Sequence, residues 1–251
     1  MDIVQSIFGL ISYLVAAAVS AFISSMHYSL KNTKKDLEEE HKKAQLLLSN
    51  IFPDSIAERL KNGESLIADR YIESTILFCD LVGFTHFSRH HSPEEMVSVL
   101  DELISSFDIL SESYGLEKIK TIGDAYLVVC GLPEKREDHA VAIATMALAM
   151  IRVVEEFNSR MELDLKVRIG IHSGPVIGGV IGKKKFTFDI WGDTVNIASR
   201  LESHGIPGEI QVSRETYMLL KDIFDFEKRG TIEIKNVGEV KTWLLKGEIG
   251  K

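Results

Sequence analysis

The sequence is poor in cysteine. Cys79 and Cys130 are the two among 251 residues, and each sits inside an apolar run that reads as a strand. A disulfide framework and a cysteine-based zinc site are therefore excluded, and a reducing cytosol fits. An excess of basic charge is also missing. With 29 Lys and Arg against 37 Asp and Glu, the net charge is −8, which leaves no basic face to neutralise phosphates and rules out a nucleic-acid partner. The third absence is local: from Ile3 to Leu30 there is no Asp, Glu, Lys or Arg. An apolar stretch of that length predicts one helix crossing a bilayer. A secretory signal peptide would open on basic residues and carry a shorter apolar core, whereas this chain opens Met1-Asp2.

Lys31, Lys34 and Lys35 follow the span and nothing basic precedes it. The positive-inside rule then places the rest of the chain in the cytoplasm, as a single-pass membrane protein. Between Lys31 and Asn50 the sequence is charged and helix-favouring, with Leu30, Leu37, Ala44 and Ile51 at seven-residue spacing. The companion seam holds Lys34 and His41 before Leu48, so a coiled-coil pair and a solvated single helix are both open readings. Pro53 ends or kinks this helix. Overall 45 % of residues are hydrophobic and 26 % charged, the balance of a globular protein, which excludes a wholly disordered chain.

Beyond Tyr71 the pattern predicts a strand over Ser74–Cys79 and a helix from Pro93 to about Tyr114. Ser92 and Glu95 stand at capping-box spacing ahead of that helix. Strands Glu117–Ile122 and Ala125–Cys130 flank Gly123-Asp124, a pair suited to a tight turn. A helix from about Asp138 to Arg160, a strand Leu165–Ile171 and a later helix Thr194–Ser203 follow. The order βαββαβ predicts an α+β, ferredoxin-like sheet. The expected organisation is residues 1–30 as transmembrane helix, 31–70 as helical linker and transducing segment, and 71–251 as one folded α+β domain.

Asp80 closes one strand and Asp124 sits in the turn opening another. Either alone reads as a turn residue, but converging from neighbouring strands they could hold divalent cations as two-metal phosphoryl chemistry requires. Asn196 and Arg200, four apart, share a helix face and suit the stabilisation of phosphate charge. The Gly178–Lys183 run lacks the spacing of a phosphate loop and reads as strand and turn. His86, His90 and His91 have no acidic or thiol partners at ligand spacing and read as loop residues; His172 reads as structural.

Three segments together resemble the signature blocks of the class III adenylate and guanylate cyclases: Phe78-Cys-Asp-Leu-Val-Gly-Phe-Thr85, Lys118-Ile-Lys-Thr-Ile-Gly-Asp124 and Phe188-Asp-Ile-Trp-Gly-Asp-Thr-Val-Asn-Ile-Ala-Ser-Arg200. The likeness covers about Asn50 to Lys246 and includes the lead-in Leu47–Leu60. It implies Asp80, Asp124 and the backbone of Leu81 as ligands of two divalent ions, Mg2+ or Mn2+, and Asn196 and Arg200 as transition-state residues. It also implies Phe84, Thr85, Arg168 and Lys235 as phosphate contacts and Lys120 with Asp189 as the base-reading pair. Adenine presents an acceptor at N1 and a donor at its amino group, which a Lys and an Asp complement; the guanylate members carry Glu and Cys or Ser there. The implied function is an adenylate cyclase, a lyase of ATP, working as a homodimer with shared sites. A guanylate cyclase, an inactive nucleotide-binding relay and a purely structural membrane-anchored dimer are the rivals. With no sensor domain in view, regulation would come from a membrane partner acting through the span, or the sequence is a truncated form of a longer receptor.

Overall fold

The computed structural model describes residues 2–182, 184–235 and 237–250. Lys183, Asn236 and the side chains of Asp2, Val4, Thr85 and His86 lie outside the described residues. The chain divides into two compact units, residues 1–52 and 53–251.

The first unit is one helix, α1 (Asp2–Ser49), which passes position 30 without a break. Within it Gln5–Ser49 is long and apolar enough to cross a membrane, with a mean hydropathy of 2.1 over its most apolar window. Beyond the apolar stretch the helix surface is covered by charges at helical spacing, including Lys34–Glu38 and Lys35–Glu39. Exposed pairs of this kind each add a few tenths of a kcal/mol, roughly 0.3–0.5. Leu30, Leu37, Ala44 and Ile51 are all exposed among the described residues, so the seven-residue seam forms an uncovered stripe.

The second unit opens at Pro53, whose fixed φ of −53° leads into α2 (Asp54–Lys61). A long strand, β1 (Ala68–Val82), follows, then α3 (Phe84–Ser88) and α4 (Pro93–Ser113). At the start of α4 the capping box forms as its spacing predicts. The Glu95 amide donates to Ser92 Oγ at 3.2 Å and the Ser92 amide to Glu95 Oε2 at 2.9 Å. Strands β2 (Glu117–Ile122) and β3 (Ala125–Cys130) carry the bounds read from sequence, with Gly123 at φ +64° in the turn between them. Helix α5 (His139–Met161) leads to β4 (Lys166–Ile181), which runs ten positions past the expected Ile171 to form an antiparallel arm with β5 (Thr187–Trp191). Helix α6 (Asp193–Ser203), β6 (Ile210–Ser213), α7 (Arg214–Leu220) and the hairpin β7 (Phe224–Ile234) with β8 (Gly238–Glu248) complete the unit.

The strands form one sheet in the order β2-β3-β1-β4-β6-β8-β7, with β5 attached to β4. Its β2-β3-β1-β4 part, with α4 and α5, is the ferredoxin-like βαββαβ core. The period of two along β1 sends Leu77, Cys79 and Leu81 into a core shared with α4 and α5, through Leu103, Phe107, Ile143 and Met150. Asp80 consequently faces the other way, toward the side covered by α6. There Gly170 of β4 allows direct backbone contact: a Cβ at this position would lie 2.1 Å from the Glu202 amide nitrogen and 2.6 Å from the Ala198 carbonyl oxygen. Gly178 and Gly179 lie in β4, so the glycine-rich run is strand as expected. His172 is buried, with Nδ1 2.7 Å from Ser213 Oγ. Both cysteines are free and buried.

Candidate functional site

The end of β1 sets the first group of residues. Asp80 stands opposite Ala125 of β3 on one side and Arg168 of β4 on the other. Asp124, one residue ahead of Ala125, therefore lies beside it. Burial, and next the Asp124 charge, push the Asp80 carboxyl above its usual range, while Arg168 pulls it down. Arg168 Nη2 is 3.1 Å from Asp80 Oδ2 and its Nε is 2.8 Å from Glu202 Oε1. Arg168, for which the resemblance implied a triphosphate contact, has its guanidinium engaged by two carboxylates of its own chain.

Glu202 is a member of this group that the sequence reading missed. It lies on α6 and is buried, and burial raises its pKa against the opposing pull of Arg168. A sequence signal did exist: Glu202 stands four positions after Ala198, on the stripe with Ala198 and Leu201 that the helix buries, where an unpaired acid would be costly.

Immediately after β1, Gly83 adopts φ +81° and its carbonyl accepts from the Phe87 amide at 2.9 Å, turning the chain into α3. The Phe84 side chain is buried in the main core, leaving only its backbone for an anion, as is Leu81 beside Asp80. His91 stacks on Phe87 with ring centroids 3.9 Å apart and does not join a ligand set. Among the described residues no three His, Cys, Asp or Glu side chains converge to hold a metal. The Asp80–Asp124 pair nonetheless suits Mg2+, a hard cation usually held by one or two carboxylates and completed by waters and substrate phosphates.

A second group forms where β2 meets β5. Lys120 Nζ lies 2.5 Å from Asp189 Oδ2, and Asp189 Oδ1 accepts from the Ile190 amide at 2.9 Å. The carboxylate is thus oriented from both sides. Asn196 and Arg200 form a third group on α6, on the face opposite Ala198 and Leu201; both are exposed, and neither side chain makes a hydrogen bond among the described residues. Lys235 follows β7 and is exposed. A cavity of about 620 Å³ lies elsewhere, lined by His172, Asp193, Arg214 and Lys241 among others, and neither Asp80 nor Lys120 borders it.

This arrangement of carboxylate pair, Lys–Asp pair and Asn–Arg helix face occurs within residues matched by the family model for the adenylate and guanylate cyclase catalytic domain, 66–247. The chain belongs to the adenylate and guanylate cyclase family. The chain is 43 % identical over 235 residues to an adenylate cyclase of Mycobacterium tuberculosis, covering 92 % of this chain and 53 % of that protein. It is also 43 % identical over 215 residues to the human atrial natriuretic peptide receptor 2, covering 84 % and 20 %. The chain thus spans about half the mycobacterial relative's length and a smaller part of the receptor. Among solved structures, the catalytic core of a rhodopsin-guanylyl cyclase with converted specificity, in complex with ATPalphaS, is similar at 37 % identity. The match has a TM-score of 0.69 and covers 72 % of this chain and 98 % of that one.

Proposed function

We propose that the chain is an adenylate cyclase, converting ATP to 3′,5′-cyclic AMP and pyrophosphate as a homodimer. The observation that carries this reading is the Lys120–Asp189 pair. An ammonium has three protons to donate and a carboxylate about four acceptor sites, so each retains capacity for a ligand after meeting the other. Adenine, with an acceptor at N1 and a donor at its amino group, fits such a pair; guanine, with a proton at N1 and a carbonyl oxygen at C6, opposes it.

In this reading the ribose 3′-oxygen bonds to the α-phosphorus, its proton passes to solvent, and the bond to the β-phosphate bridging oxygen breaks to release pyrophosphate. Asp80, Asp124 and the Leu81 backbone would hold two divalent ions, Mg2+ or Mn2+, which would supply Lewis-acid polarisation of the attacking and leaving oxygens. Asn196 and Arg200 stabilise the charge that develops on phosphorus, and the Phe84–Thr85 backbone with Lys235 contacts the phosphates. Among the described residues the Asn196 and Arg200 side chains find no hydrogen-bond partner within their own chain, which favours a site completed by a second copy. Two equivalent sites follow from the two-fold axis.

Residues 1–30 serve as a single membrane span in this proposal and residues 31–70 as the transmitting segment. Residues 71–251 form the catalytic domain on the cytoplasmic side, the side the lysines after the span favour. A membrane protein acting through the span would supply the input. The test is product formation by the full chain with ATP or GTP and Mg2+ or Mn2+ at several protein concentrations. Cyclic AMP formation whose specific activity rises with concentration supports the reading; cyclic GMP as the main product, or no turnover with either nucleotide, removes it.

A further inference from the structure

Arg168 has no part in the base-reading pair or the Asn–Arg helix face, yet its placement is built with care. Its stem leaves β4 next to Gly205, where a Cβ would come within 2.6 Å of Arg168 Cγ, so a side chain there would block the path. Two residues along the same face of β4, Gly170 lets α6 settle directly on the strand at Glu202. The result is a bridge of three part-buried charges, Asp80 on β1, Arg168 on β4 and Glu202 on α6, whose side chains are 23 %, 25 % and 10 % exposed. One cation is shared between two acids, and α6 also bears Asn196 and Arg200.

We infer that Arg168 is a positioning residue for the metal-holding carboxylate: it holds Asp80 as counter-ion while no cation is bound, and Glu202 retains its charge when one arrives. The inference rests on the proposed metal role of Asp80. A divalent cation at Asp80 supplies the positive charge that Arg168 otherwise provides and repels the guanidinium. Without Glu202 that guanidinium would be left part-buried with no compensating charge, a costly state. With Glu202 the Nε bond is kept and only the Nη2 contact is given up.

The two neighbours of Asp80 should therefore move cation affinity in opposite directions. Mn2+ titrated alone into the full chain and followed by its free-ion electron paramagnetic resonance signal reads this without turnover. Glu202→Gln commits Arg168 to Asp80 and should weaken Mn2+ binding about 3- to 10-fold, whereas Arg168→Gln removes the competing cation and should tighten it by a similar factor. In the double variant the Glu202 substitution should have no further effect. Arg168→Lys, which keeps the charge but loses the two-ended reach, should bind Mn2+ with little dependence on residue 202. Thermal unfolding of each variant shows whether the fold is kept. A merely structural bridge would lower stability and move both affinities the same way; that outcome, or additive effects in the double variant, overturns the inference while leaving the cyclase reading in place. If the unaltered chain binds no Mn2+ that Asp80→Ala abolishes, the metal reading itself is wrong.

Discussion

Lys120 on β2 and Asp189 on β5, 69 positions apart, meet in a 2.5 Å ion pair that orders a hydrogen-bond donor and an acceptor side by side. β2 is the outermost strand at one side of the sheet and β5 belongs to the arm attached to β4, so neither strand brings its partner residue along locally. In the proposed reading the pair preorganises the recognition of a base.

Exchanging the pair's chemistry should exchange its preference. Lys120→Glu combined with Asp189→Cys is expected to lower kcat/KM for ATP by at least about 100-fold, because a site built to hydrogen-bond one pattern rejects the reversed one. Some turnover of GTP should appear. Lys120→Glu alone should be worse than the pair of changes, since it places two acids in contact. Undiminished selectivity for ATP in the double variant rules out this assignment.

The shared site can be tested by mixing lesions. Asp80→Ala and Asn196→Ala should each be inactive alone, one through loss of a metal ligand and the other through loss of a transition-state contact. Co-expressed, they place both lesions in one site of a mixed dimer and leave the second site whole. Random pairing makes half the dimers mixed with one working site of two, so up to about a quarter of the unaltered activity should return. No recovery in mixtures where mixed dimers are shown to form would place the whole site within one chain.

The seam along α1 has a phase. Insertions between Leu37 and Ile51 should change activity according to helical rotation, four residues turning the output by about 40° and seven restoring the repeat, at 3.6 residues per turn. A series of one to seven inserted residues, assayed in membranes, reads this out. A flat series makes the segment a passive tether.

His172 sets an acid limit on the fold. Its burial, only partly offset by Glu215, lowers its pKa to about 4 from the usual 6.5. The folded protein holds this ring neutral while the unfolded chain protonates it. Stability on this account is intact above about pH 6.5 and falls as pH drops toward 4, by up to about 3 kcal/mol. Urea midpoints measured from pH 7 to 4.5 should decline less steeply in His172→Gln than in the unaltered protein. Parallel slopes for the two proteins would remove His172 from the account.

What the sequence by itself determined is whatever depends on near neighbours. The β2 and β3 bounds follow from Gly123-Asp124 between alternating runs, and the start of α4 from Ser92 and Glu95, because turn and capping bonds close within a few residues. The burial of Cys79 and Cys130 follows from the strands around them, and the apolar stretch of α1 was visible as an absence of charge. Only the tertiary structure decided how the charges are partnered. The family resemblance implies Arg168 only as a phosphate contact; the register Asp80↔Arg168 and the backbone contact of α6 at Gly170 place it between Asp80 and Glu202. The length of β4 beyond Ile171 is set by pairing with β1 and β5, which local propensity does not encode. Ion pairing depends on which strands the sheet brings together. That is decided by burying the two faces of β1 under different helices, α4 and α5 on one side and α6 on the other.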